Sequence, residues 1–122
     1  MVSADKQRPI LLIGADSQLD YLLQRYAERS GCHLTTSQAI LPVGEMVALQ
    51  PALIIFLSLE LLETAQELVE QLVTHDIPIA ACASAAGEAR ARELGADYCL
   101  LHPVTYDNFQ AALTATSGSK QS

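Results

Sequence analysis

Few residues of this chain stand where chemistry is usually done, and those few do not make a reacting set. In an α/β domain the reactive groups gather at the C-terminal ends of strands. The stretch PALIIFLSLE, residues 51–60, reads as a strand running into a helix, and its far end offers only Leu57 and Ser58. No carboxylate, base or metal-ligand spacing accompanies them. An earlier apolar run, ILLIG, ends on Gly14, followed by Ala15, with Asp16 the first acid after it. A lone carboxylate there either caps the next helix, whose N-terminal partial charge favours an anion, or lends one oxygen to a cation. The cap is the simpler role. His102, just before Pro103, can switch charge near neutral pH or simply lie half-exposed over the strand ends. His33 and His75 sit near element ends and carry no assignment.

The cysteines Cys32, Cys82 and Cys99 are far apart, apolar in context and without CxxC or His-Cys spacing. They read as reduced, buried thiols of a cytoplasmic protein, not as a metal site or redox pair. No GxGxxG follows the first strand, so a dinucleotide is not expected. There is no nucleophile paired with a base and no nucleophile elbow. The expectation is no enzyme activity, no metal and no cofactor.

The elements that position these residues follow from hydrophobic period. The 122 residues suit one domain, half of them hydrophobic and none Trp, so the core is aliphatic. A net charge of −7 argues against direct contact with nucleic acid and with anionic membrane surfaces. No apolar run reaches the ~20 residues of a membrane span, and the opening residues lack a secretory apolar segment.

Residues 1–8 read as a frayed, disordered N-terminus, 9–115 as the domain, and 116–122 as a polar tail or linker. Strands are expected over 10–14, 32–36 (at an edge), 52–57, 79–83 and 98–101. Between them fall a helix opening at Asp16 or Ser17 and a short one over 43–49. A third starts at Leu61, with Leu61, Leu62, Ala65, Leu68, Val69, Leu72 and Val73 along one face. A fourth covers 84–94 and stops at Gly95, and the last is capped by Thr105 and buries Phe109, Ala112 and Leu113. Strands alternating with helices make an α/β fold, a doubly wound parallel sheet covered on both faces.

GADYCLLHPV (residues 95–104), preceded by DIPIAACAS (76–84) and PALIIFLSLE, resembles the receiver domain of two-component response regulators, the CheY-like family. The opening RPILLIGADSQLDYLLQRYAERSGCHL is similar to that family's first strand and helix, and the resemblance runs from Arg8 to Leu113. It implies a flavodoxin-like three-layer sandwich with five parallel strands in the order 2-1-3-4-5. It also implies a chemistry: an aspartate after the third strand accepts a phosphoryl group, two acids after the first strand hold Mg2+, and a hydroxyl and a lysine contact the phosphoryl oxygens.

Laid on that pattern, the acid pair falls on Gly14 and Ala15, with Asp16 as the one acid beside them. The acceptor falls on Leu57, the hydroxyl on Ala83, the lysine on His102 and the last-strand aromatic on Cys99, beside Tyr98. A one-residue shift would offer Ser58 as acceptor, but would turn the strand's side chains to the wrong layers. The family's lysine-proline bond is often cis, so His102-Pro103 is a candidate cis peptide.

The expected function is that of a pseudo-receiver. It would act by phosphorylation-independent contact with a protein partner, a second copy or an output domain. The family's usual contact face puts Arg90, Arg92, Glu93, Tyr98, Tyr106 and Asp107 forward, residues that otherwise read as solvated surface. A second reading is a small-molecule sensor, with a ligand in a crevice left over Leu57 by Gly14, Ala15 and Ala83.

Overall fold

Residues 10–13 are all but inaccessible to solvent, and Leu53, Ile54, Ile55 and Phe56 are completely so. Strands buried on both faces need helical layers above and below. The computed structural model describes residues 8–121 and shows both layers. Strands β1 (Arg8–Ile13), β2 (Cys32–Ser37), β3 (Leu53–Phe56), β4 (Ile79–Ala83) and β5 (Tyr98–Leu101) form one sheet. Its order is β2-β1-β3-β4-β5, and every neighbouring pair is parallel. The expected topology is the observed one, with β2 at an edge.

Helices α1 (Ser17–Arg29) and α6 (Tyr106–Gln121) cover one face. There Leu23, Ala27, Phe109 and Ala112 pack on Ile10, Leu12, Ile55 and Leu100. The other face is covered by α2 (Val43–Ala48), α3 (Leu59–Thr64), α4 (Gln66–Thr74) and α5 (Glu88–Glu93). Met46, Leu62, Leu72 and Ala91 pack there on Leu11, Ile54, Phe56 and Ala81. Alternate residues of each strand therefore enter opposite cores.

Side-chain caps set three helix starts. Asp16 Oδ1 accepts from the Leu19 amide at 3.1 Å, and Ser58 Oγ from the Leu61 amide at 3.2 Å. Thr105 Oγ1 accepts from the Asn108 amide at 3.1 Å. Each satisfies a first-turn N–H that has no partner within its helix.

The structure departs from the sequence reading in three places. The helix expected as one piece from Leu61 begins at Leu59 and breaks at Ala65, whose ψ of 30° ends α3 before α4 starts. The Gln66 side chain bridges the break, donating to both Leu62 O and Leu94 O at 2.9 Å. Val73, at the far end of the expected apolar face, is 55% exposed. The helix expected over 84–94 opens as a 3-10 turn, Ala85–Gly87, before α5.

At the termini, the expected frayed segment 1–7 lies outside the described residues, while the Arg8 backbone pairs with Cys32 in the sheet. The segment expected as a polar tail carries on as α6 to Gln121.

Candidate functional site

Parallel pairing brings the C-terminal ends of β1, β3 and β4 side by side, with Ile13 opposite Phe56 and Phe56 opposite Ala81. The next residues continue the pattern. The Leu57 amide donates to Ile13 O at 2.9 Å, the Gly14 amide to Ser37 O at 2.9 Å, and the His102 amide to Ala83 O at 3.0 Å. The sheet thus gathers Gly14, Leu57, Ala83 and His102 at one end.

What stands there is apolar. Leu57 is 5% exposed and lies against Gly14 so closely that a methyl group on Gly14 would sit 2.7 Å from Leu57 Cβ and 2.8 Å from Cδ1. Gly14 also holds φ at +144°, a conformation that side-chain-bearing residues rarely adopt. Absence of a side chain at Gly14 is therefore what admits Leu57. A second leucine closes the neighbouring space: a methyl on Gly87 would meet Leu59 Cδ1 at 2.9 Å and Ala83 Cβ at 3.5 Å. Leu59 was not singled out from sequence. Its position directly after the capping Ser58 was the available signal.

Asp16 is exposed, and its Oδ1 is engaged in capping α1. With Gly14 and Ala15 beside it and an apolar Leu57, the donor set does not fit a divalent cation, which wants several hard oxygens. Among the described residues, no three His, Cys, Asp or Glu side chains come together as metal ligands.

The open space lies to one side of the position expected for a ligand. A cavity of about 220 Å³ is lined by Gly14, Ala15, Asp16, Ser17, Asp20, Thr36 and Gln38, between the start of α1 and the end of β2. Thr36 Oγ1 donates to Asp20 Oδ1 at 2.8 Å across it.

His102 is exposed and its bond to Pro103 is cis. All three cysteines are buried. Cys82 sits opposite Leu100 and Cys99 opposite Ala81, which places the two in different cores. Burial pushes the Cys82 thiol up to about 12, with Cys99 and Asp16 adding to it. Burial also raises Cys99, helped by Glu88 and opposed by Arg92. Both thiols are held in the unreactive, protonated form.

The residues expected to share a contact face lie on edge strand β5 and on the two helices that flank it, and several of them are engaged within the domain. Arg90 turns to α3, pairing with Glu63 at 3.2 Å, and pairs with Glu93 at 3.3 Å. Arg92 pairs with Glu88 at 3.3 Å and donates to Asp97 O at 3.3 Å. Tyr106 belongs to the opposite layer: its ring lies 5.5 Å from that of Tyr26 and carries the Arg29 guanidinium 4.0 Å above it. Gln110 Nε2 donates to its hydroxyl at 3.0 Å. Tyr98 is half-buried against the α1–α6 core, and Asp107 is exposed. α5 and α6 cover different faces of the sheet and flank its β5 edge from either side.

Sheet order, the two helical layers and the strand-end position define a doubly wound, flavodoxin-like domain. Solved structures narrow the fold further. A response-regulator receiver domain from Bermanella marisrubri superposes with a TM-score of 0.73 at 18% identity, over 92% of this chain and 99% of that one. The chemotaxis protein CheY4 of Vibrio cholerae does so at 0.71 and 13% identity, over 90% and 98%. The N-terminal domain of the nisin resistance regulator NsrR, a lantibiotic response regulator, does so at 0.69 and 24%, over 91% and 98%. The fold is that of a response-regulator receiver domain. No protein-family model matches the sequence, and no curated protein matches it.

Proposed function

We propose that this chain is a receiver-like signalling domain that takes no phosphoryl group and works by binding a protein partner or an output domain. The observation that carries the reading is the seating of Leu57 against Gly14, which fills the strand-end space with hydrocarbon. Phosphoryl transfer to a carboxylate needs a nucleophilic oxygen and a cation to offset the repulsion between two anions. Leu57 supplies no oxygen, Gly14 and Ala15 supply no cation ligand, and Ala83 offers no hydroxyl.

A switch also needs a ligand that binds two states unequally. With Ala83 in place of a hydroxyl and His102 in place of a lysine at the strand ends, the paired contacts that would turn phosphoryl binding into a shift of equilibrium are missing. The domain's role is then non-enzymatic, and its contacts are set by its surface and its abundance. Against the alternative of a small ligand held over Leu57 stands the same packing, since Leu57 fills the space beside Gly14 and Leu59 the space beside Gly87.

The test is incubation with acetyl phosphate and Mg2+, and separately with beryllofluoride. Intact mass and the amide NMR spectrum are expected to stay unchanged. A gain of one phosphoryl group, or beryllofluoride shifts clustered at Leu57 and Ala83, overturns the proposal.

A further inference from the structure

Val73 is an apolar residue of α4 that packing leaves 55% exposed. It borders an open groove of about 300 Å³ between α4 and the end of α5, floored by Val69, Val73 and Leu94 and rimmed by Glu70 and Glu93. The floor is held in place from below: Gln66 Nε2 donates to Leu94 O at 2.9 Å, tying α4 to the turn after α5. Gly95 lets the two approach, since a methyl there would stand 2.7 Å from Val69 Cγ1.

The charge around this groove is acidic on balance, since α5 sets Arg90 and Arg92 against Glu88 and Glu93 while α3 and α4 add carboxylates alone. Residues 59–74 hold Glu60, Glu63, Glu67 and Glu70 and no Lys or Arg. Both arginines are already engaged, Arg90 by Glu63 and Glu93 and Arg92 by Glu88. Glu67 and Glu70 take part in no ion pair among the described residues.

We propose that the α4–α5 groove docks a basic amphipathic helix of a protein partner, its apolar stripe centred on exposed Val73 beside the nearly buried floor of Val69 and Leu94, and its Lys or Arg side chains against Glu70 and Glu67. An apolar floor with an acidic rim is complementary to such a helix, which presents anchors at i, i+3, i+4 and i+7. Like-charge repulsion disfavours an acidic segment, and disfavours a second copy of this acidic chain. The proposal rests on the reading of the domain as an interaction module and gives that module a surface.

The experiment uses synthetic helical peptides: one with a Leu stripe and Lys and Arg elsewhere, one with the stripe changed to Ser, and one with the basic residues changed to Glu. Binding is followed by amide NMR and fluorescence anisotropy at low and high salt. The first peptide is expected to shift amides of residues 69–73 and 94–95 and to weaken with salt. Val73→Asp and Glu70→Lys are each expected to lose at least about tenfold in affinity. Both positions are exposed, and an unchanged thermal midpoint certifies the fold. Absence of binding overturns the groove proposal, as do equal binding of the Ser peptide, shifts centred elsewhere, or groove shifts that grow with protein concentration alone. Phosphodonor silence, read at the other end of the sheet, would stand through any of these results.

Discussion

Truncating Leu57 to alanine tests whether the strand end is closed by packing. The side chain is 5% exposed and belongs to the α1–α6 core, so removing its terminal carbons deletes buried hydrocarbon and leaves a cavity. Truncations of this kind cost about 2–5 kcal/mol, a large part of the ~5–15 kcal/mol that holds a domain folded. Gly14→Ala probes the same contact from the other side. Its new methyl would meet Leu57 Cβ, Cγ and Cδ1 at 2.7–2.9 Å, at a φ of +144°. Overpacking and a disfavoured backbone together should cost on the order of 2–5 kcal/mol.

The decisive quantity is the coupling between them. In a Leu57→Ala background the Cγ and Cδ1 contacts vanish and only the Cβ contact remains. Gly14→Ala should then cost about 0.5–3 kcal/mol less than in the parent. Urea unfolding of the four proteins, with unchanged m-values, measures the cycle. A cost below about 1 kcal/mol for Leu57→Ala, or strict additivity with Gly14→Ala, would refute the packed strand end.

Leu57→Asp should destabilise at least as much as Leu57→Ala and should still gain no phosphoryl mass from acetyl phosphate, because Gly14, Ala15 and Ala83 remain without functional groups. Thiol reagents should label Cys82 and Cys99 slowly in the native protein and quickly in denaturant; rapid native labelling of both would contradict their burial. Since the Cys82 value rises from the ordinary 9.0 to about 12, the folded state holds a proton that the unfolded state releases between those values. Stability should therefore fall as pH rises above 9, by up to about 1.4 kcal/mol per pH unit from this thiol, and Cys82→Ala should flatten that slope. Asp16→Ala should cost about 1 kcal/mol through loss of the α1 cap, with Asp16→Asn retaining most of it; a neutral Ala variant would remove the capping role.

The fold was legible because every strand but the edge strand β2 contains an apolar run and the long helices carry an apolar stripe. Runs such as ILLI and LIIF require cover on both faces, and that requirement alone points to a doubly wound sheet. Leu57 and Gly14 were legible as a pair only through the resemblance, which placed both at the strand ends. Their mutual contact depends on a φ that no residue pattern announces. Two features stayed hidden for a physical reason. The break at Ala65 leaves the helical period of 61–73 untouched, and is stabilised by a long-range bond from Gln66 to Leu94 O. The internal partners of the expected contact residues were hidden too, because charge and aromaticity do not record rotation: Arg90 found two carboxylates and Tyr106 found the side of α1.

The same rotation bears on where a partner can bind. A side chain already bound within the domain must give up those partners before it can serve another surface. Tyr106, stacked under Arg29 and bonded to Gln110, is costly to recruit, and Arg90 would leave two carboxylates behind. Val73 has no such debt. It is already in water, and covering it gains apolar burial at ~25 cal/mol per Å² without breaking any internal contact. Glu67 and Glu70 stand beside it outside any ion pair among the described residues, so a cation brought by a partner meets charge that is not yet neutralised. On this ground the α4–α5 groove is the surface proposed for an incoming protein.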